Sequence, residues 1–309
     1  MEYTVLKNSD LRVSRFCMGG CPMGGYGWGE TKEQDFIDSI QEALESGVNF
    51  FDTADTYGLG QSERTLAKGI GGRRHDVVIE SKFGVRAGRG ETLYDNSPPH
   101  IRAALEGTLK RLGTDYIDIY AIHYRDAATP IEDVVGTLEE LRGEGKIRYF
   151  GLSNVGEGGY AEILPYKKQF VNFQEEYSLA CRKNEDKIRR MGKDFTPMSW
   201  GSLGQGILTG KYGKDAMFDV SDRRSRGAYV NFHGAKLGRN LEIVEKLREV
   251  SRLHGVSVAS CAIRYILDVL PGSVVIAGVK RPSQLRANLE AMGYRLSEEE
   301  IGMLNEVSI

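Results

Sequence analysis

The chain lacks any run of about 18 apolar residues, the length a membrane-spanning helix needs, so no membrane partner is expected. Its first residues, Met1-Glu2-Tyr3-Thr4-Val5-Leu6-Lys7, lack a cationic segment leading into an apolar core, so no secretory signal is visible and a cytoplasmic protein is the expectation. Net charge is nearly absent: 41 Lys and Arg against 43 Asp and Glu leave −2, which offers nucleic acid no electrostatic footprint. Cysteine is scarce. Cys17 and Cys21 have no Cys/His pair following at metal-finger spacing, so with Cys181 and Cys261 they read as reduced thiols in or near the core, and no metal site is expected. No Gly-x-Gly-x-x-Gly occurs, which argues against a Rossmann domain. The 38 glycines are dispersed, so low-complexity segments are missing too.

What is present is a folded, water-soluble pattern, 40% apolar and 27% charged over 309 residues. Residues 2–15 alternate and break at Asn8-Ser9-Asp10, as a β-hairpin does. After it, short apolar runs alternate with amphipathic segments. The runs are Phe16–Gly20, Val48–Asp52, 76–81 ending at Lys82, 116–122 ending at His123, Ile147–Leu152, Phe170–Phe173, Phe195–Ser199 and Ser273–Ile276. Between them Thr31-Lys32-Glu33-Gln34 reads as a capping box, Pro98 or Pro99 opens a helix stopped by Gly113, and an irregular stretch fills about 201–236. Eight strand–helix alternations without a composition break predict one α/β domain over residues 1–309: a (β/α)8 TIM barrel with an N-terminal β-hairpin and extra helices.

In such a barrel, chemistry sits where strands end. Asp52, Lys82, His123, Ser153, Asn154, Gln174 and Trp200 all occupy such ends, with Tyr57 on the loop after the second strand. Each alone has an innocent reading as a cap, a surface lysine or a core histidine. A buried carboxylate needs a cation, and Lys82 can supply it to Asp52. Lys82 beside Tyr57 is expected to lower the phenol's pKa, making it a proton donor. His123 can hold a carbonyl oxygen. The set is a general acid facing a carbonyl, with no electron source of its own, so reduction needs a hydride donor such as a nicotinamide.

Phe51-Asp52-Thr53-Ala54-Asp55-Thr56-Tyr57-Gly58, Lys82 after Ile79-Glu80-Ser81, and Ile122-His123 together resemble the aldo-keto reductase family over nearly the whole chain, in the microbial and potassium-channel-β-like branch. The resemblance implies a tetrad of Tyr57 as acid/base with Asp52, Lys82 and His123. It implies Ser153, Asn154 and Gln174 around a nicotinamide carboxamide and Trp200 stacked on its ring. It implies Gly201, Leu203 and Gln205 in a backbone loop around pyrophosphate, and Gly278, Lys280, Arg281, Gln284 and Asn288 at the adenosine phosphate. Two cations before the helix that Pro282 opens favour NADPH/NADP+ over NADH; the alternative is a pair of solvated loop cations.

Three departures from the family pattern stand out. Met18-Gly19-Gly20-Cys21 makes Gly20 a weaker cofactor contact, Trp200 replaces a common tyrosine, and Tyr124-Arg125-Asp126 follows His123. Tyr26, Trp28, Tyr124 and Arg125 are candidate substrate contacts, with Tyr94 a further pocket wall. Arg125 can equally form a rim salt bridge with Asp126 or Glu132. The implied function is reduction of an aldehyde or ketone to an alcohol. A cofactor-binding regulatory protein of the same family, and a barrel lyase or isomerase using Lys82 as a Schiff base, stay open. The carbonyl substrate and the oligomeric state are not readable.

Overall fold

The computed structural model describes residues 1–87, 92–126 and 128–308. Eight parallel strands close on themselves: β1 Phe16–Gly19, β2 Phe50–Asp52, β3 Val78–Phe83, β4 Ile117–Ile122, β5 Ile147–Ser153, β6 Phe170–Glu176, β7 Thr196–Trp200 and β8 Val274–Gly278. Neighbours in the ring are neighbours in sequence, and β8 returns to β1 with Val275 opposite Phe16 and Gly278 opposite Gly19. This is the expected (β/α)8 barrel. β1 to β4 are buried at every position, so they read as apolar runs rather than alternating ones.

Helices clothe the barrel with the faces their spacing dictates. Pro98–Leu112 buries Ile101, Leu105, Leu109 and Leu112, and Gly113 ends it at φ 65°. Ile131–Gly143 buries Val134, Val135, Leu138 and Leu141. The expected capping box at Thr31 does not form. Helix Glu33–Glu45 starts after Lys32 with no side-chain cap, and Glu33 instead accepts from Lys68 (2.8 Å) and Gln61 (3.1 Å). The capping box of this chain is at Ser297 and Glu300, opening helix Glu298–Val307. That last helix is held to the outer helices by His254–Glu300 (2.7 Å) and Tyr265–Asn305 (2.5 Å).

The N-terminal hairpin, Tyr3–Val5 with Arg12–Ser14, closes one end of the barrel. Leu6, Leu11 and Val13 join Phe50, Val78, Ile119, Val171, Met198 and Val274 in one apolar cluster there. A ribbon not anticipated from sequence, Val85–Ala87 with Thr92–Tyr94, follows β3 at the other end. Part of the 85–95 loop, residues 88–91, and Ala127 lie outside the described residues. The irregular stretch predicted at 201–236 contains short 3₁₀ turns at Gly204–Thr209, Arg223–Ser225 and Val230–Phe232, and no strand. Among the described residues no helix is long and apolar enough to cross a membrane. Cys17 and Cys261 are buried thiols, Cys21 and Cys181 half-buried ones.

Candidate active site at the carboxyl ends of the strands

The strand ends converge on a cavity of about 640 Å³. Asp52, Tyr57, His123, Tyr124, Ser153, Asn154, Gln174 and Trp200 all line it. Lys82 lies beneath them, 1% exposed. Its ammonium donates to Asp52 Oδ1 and, at 2.9 Å, to the Thr53 carbonyl. Two of its three N–H groups are thus taken. The ammonium sits 5.2 Å from the centre of the Tyr57 ring. The rings of Tyr57 and His123 meet edge to face with centroids 5.9 Å apart. Three strands and their loops therefore deliver one phenol, one imidazole and one ion pair to a common floor.

The electrostatics differ from the sequence expectation at one point. Lys82 does pull the Tyr57 pKa down, but burial of the phenol outweighs it and the net shift is upward. Desolvation works against the Lys82 ammonium, yet Asp52 and then Tyr57 and Glu80 overcome it and raise its pKa. Burial, with the Lys82 charge adding to it, lowers His123 to about 3, so the imidazole is neutral at physiological pH. Its Nδ1 is buried with no hydrogen-bond partner.

The cavity continues away from this floor along β7 and β8, past Gly201, Ser202, Leu203, Gln205, Gly206, Gly278, Lys280, Ser283, Gln284 and Asn288. Gly201, Gly204, Gln205 and Gly206 all carry positive φ, which turns successive backbone groups around the cavity wall. The Gln205 side chain is held by Asn231. Gln284 accepts from the Lys280 backbone N–H at 2.9 Å, and the Lys280 ammonium donates to the Trp28 carbonyl. Burial and nearby cations lower Lys280 to about 8. The volume lies within the ~300–1,000 Å³ of ordinary ligand sites. The indole N–H groups of Trp28 and Trp200, both in the lining, are buried without acceptors. Cations cluster at the far end. An elongated anion with an aromatic head fits this chemistry, as a nicotinamide dinucleotide is.

Besides Lys82 beneath the floor, five residues singled out from sequence do not line the cavity, one of them Tyr94, which is exposed and stacks on Tyr124 with centroids 5.1 Å apart. Gly20 is a packing glycine: a Cβ there would stand 2.5 Å from Ser62 Oγ and 2.7 Å from the Asp52 carbonyl. Gly20→Ala is expected to cost about 1–3 kcal/mol in urea denaturation, and a stability equal to wild type would contradict the packing role. Tyr26 is 54% exposed and receives a hydrogen bond from Arg226 at 3.0 Å. The Arg125 guanidinium is spoken for by Glu162 (3.0 Å), Asn96 (2.9 Å) and the Thr129 carbonyl (2.8 Å), with Asp126 at 3.6 Å and Glu132 not involved. Arg281 is exposed at the N-cap of helix Pro282–Leu289.

Conversely, Arg223, Arg224 and Tyr229 line the cavity and were not found from sequence, while Lys211 and Tyr212, at the end of the segment resembling a pyrophosphate loop, line it as well. They belong to the aperiodic stretch, where no spacing marks which side chains point inward. That stretch meets the loop after β1 over the cavity. Arg223 N–H donates to the Gly27 carbonyl at 3.0 Å, and Trp28 packs edge-on to Tyr229 with centroids 6.2 Å apart. Arg224 is anchored by Asp222 (2.9 Å) and Tyr212 (2.7 Å).

A closed parallel barrel with an acid, a lysine, a tyrosine and a histidine around one mouth defines a class of enzyme-like site. The model of the Aldo/keto reductase family matches residues 15–309, and the chain belongs to that family, oxidoreductases acting on carbonyls. It is 32% identical to aldo-keto reductase YhdN of Bacillus subtilis (strain 168) over 99% of this chain and 93% of that one. It is 29% identical to the NADH-specific methylglyoxal reductase of Escherichia coli (strain K12), covering 100% and 98% of the two chains. It is also 29% identical to aldo-keto reductase yakc [NADP(+)] of Schizosaccharomyces pombe, covering 94% and 86%. Among solved structures, the glycerol dehydrogenase of Gluconobacter oxydans superposes with a TM-score of 0.86 at 26% identity, covering 99% of this chain and 94% of that one.

Proposed function

We propose that this chain is an NADPH-dependent reductase that converts an aldehyde or ketone to an alcohol, with Tyr57 as the proton donor. The observation that carries the reading is the buried Asp52–Lys82 pair placed under Tyr57 and beside His123 in one cavity. A reduced nicotinamide, when bound, supplies hydride to the carbonyl carbon. Tyr57 donates its proton to the carbonyl oxygen as that oxygen becomes an alkoxide, a base strong enough to take it from a phenol held above its usual range. The remaining Lys82 N–H then faces the phenolate, and Asp52 fixes the ammonium in place. Neutral His123 donates a hydrogen bond to the same oxygen and orients it.

Gln174 donates its amide N–H to Asp52 at 2.7 Å, which leaves its Oε1 to accept from a carboxamide. Ser153 and Asn154 share that task, and Trp200 offers its face to the ring. Gly201, Leu203 and Gln205 line the pyrophosphate stretch. Gly278, Lys280, Gln284 and Asn288 surround the adenosine end, and Arg281, exposed at a helix N-terminus just outside that lining, would meet a ribose 2′-phosphate. One relative carries NADH in its name and another NADP(+), so the family accommodates both. Lys82, with its ammonium held by Asp52 and the Thr53 carbonyl, is not presented as a free amine for Schiff-base chemistry.

Arg281→Ala is expected to weaken NADPH on the order of tenfold and leave NADH unchanged in a fluorescence titration, a charge-assisted bond being worth ~1.5–3 kcal/mol. Equal losses for the two would remove the 2′-phosphate assignment. The function itself is tested by NADPH oxidation against a panel of aldehydes and ketones. Binding without turnover across the panel would turn the reading to a regulatory cofactor-binding protein.

A further inference from the structure

One step below the mouth, the barrel interior holds a polar layer that the proposed reaction does not use. Glu80 in β3 and Asn172 in β6 precede Lys82 and Gln174 by two residues, so each pair shares one inner face. Glu80 and Asn172 are both completely buried. Asn172 Nδ2 donates to Glu80 Oε2 at 2.6 Å. Gln174 Nε2 donates to Glu80 Oε1 at 2.8 Å and to Asp52 Oδ1 at 2.7 Å. Gly151 in β5 leaves the room for this layer: a Cβ there would stand 2.6 Å from Asn172 Oδ1 and 3.0 Å from Glu80 Oε1.

The charge count is unusual. Two carboxyl groups, Asp52 and Glu80, share one amide N–H group and one ammonium, Lys82, above an apolar seal. The other titratable groups facing these three are the Cys17 thiol from β1, the Cys21 thiol after it, the Tyr57 phenol and the neutral His123 imidazole, and none adds positive charge. A buried anion without its own cation escapes that cost by taking up a proton. Asn172 gives a second, independent sign. Its Oδ1 is buried with no donor, while its Nδ2 has the Met198 sulfur as its other partner, at 2.8 Å. Turning that amide over lets Oδ1 accept from a protonated Glu80, while Nδ2 takes the place in which Oδ1 has no partner. Burial, and then Asp52, push Glu80 up to about 8.

We propose that Glu80 carries a proton in the resting protein and acts as a positioning residue, holding Gln174 and leaving the Lys82 charge to Asp52 and Tyr57. This deepens the reductase reading and rests on it for its catalytic consequence. Ionisation of Glu80 adds a negative charge beside Lys82, which makes Tyr57 a weaker acid and slows reduction on the alkaline side.

Two measurements decide it. Infrared difference spectra of wild type against Glu80→Gln, without cofactor or substrate, are expected to show a protonated-carboxyl C=O band at neutral pH in the wild type alone, fading as pH rises. Absence of the band overturns the proposal whatever the protein turns over. In kcat/KM against pH, Glu80→Gln is expected to keep its alkaline activity, exceeding wild type by up to about tenfold per pH unit beyond the wild-type titration. Superimposable alkaline limbs overturn it. If Glu80→Gln does not fold, Asp52→Asn carries the infrared test: with the neighbouring acid gone the band fades at lower pH, and an unmoved midpoint counts against the proposal. A wild type inactive at every pH would retire the reductase reading and leave the infrared result standing.

Discussion

Tyr57→Phe is expected to lose on the order of 10²–10⁴-fold in turnover, the usual worth of a placed general acid, while NADPH binds as in the wild type. Only the hydroxyl is removed. The ring that packs edge-on against His123 stays, so the cavity wall and the imidazole's position are preserved. Lys82 keeps Asp52 and the Thr53 carbonyl as partners. The loss therefore belongs in kcat, because the proton is called for only as the alkoxide forms. Steady-state NADPH oxidation together with a fluorescence titration separates the two quantities. A Tyr57→Phe enzyme reducing carbonyls at the wild-type rate would end the assignment of the acid.

Lys82→Met is expected to be the most damaging single change to stability as well as to activity. It strips Asp52, 4% exposed, of its cation and leaves two buried carboxyl groups facing each other across one amide. Breaking a buried pair from one side costs ~3–5 kcal/mol, a large part of the ~5–15 kcal/mol that holds a domain folded. Adding Asp52→Asn removes the stranded charge, and Asn can still accept from Gln174. The double variant is thus expected to regain most of the midpoint in urea denaturation without regaining turnover. If the single and double variants unfolded at the same urea concentration, the pair would not be the source of the loss.

The barrel was readable because strand β2 onward carries, again and again, a polar residue at or within two positions of the strand's end after an apolar run. Asp52, His123, Ser153 and Gln174 were found by that rule, and all four line the cavity. The same rule passes over Glu80 and Asn172, which lie inside their strands, although stepping back by two from Lys82 and Gln174 would have reached them. For Arg125 the rim ion pair expected with Asp126 is there at 3.6 Å, but the closer partner, Glu162, is 37 residues away on helix Glu157–Ile163, a pairing no local pattern announces. Arg223 and Arg224 were missed because side-chain direction in an aperiodic stretch is set by tertiary contacts such as Arg223 with Gly27, not by spacing. The Lys82 effect on Tyr57 had the expected sign and the wrong weight, since burial depth is a property of the assembled site.

The N-terminal hairpin gives the barrel a floor. With Leu6, Leu11 and Val13 packed against Phe50, Val78, Ile119 and Met198, the interior is a well stopped at one end by apolar side chains and open at the carboxyl ends of the strands. Among the described residues, Tyr57 lines the cavity at that mouth, with Lys82 and Glu80 buried beneath it. Whatever fills the mouth also corks it, so on the proposed reaction the proton Tyr57 gives up is expected to be one loaded before the cork went in.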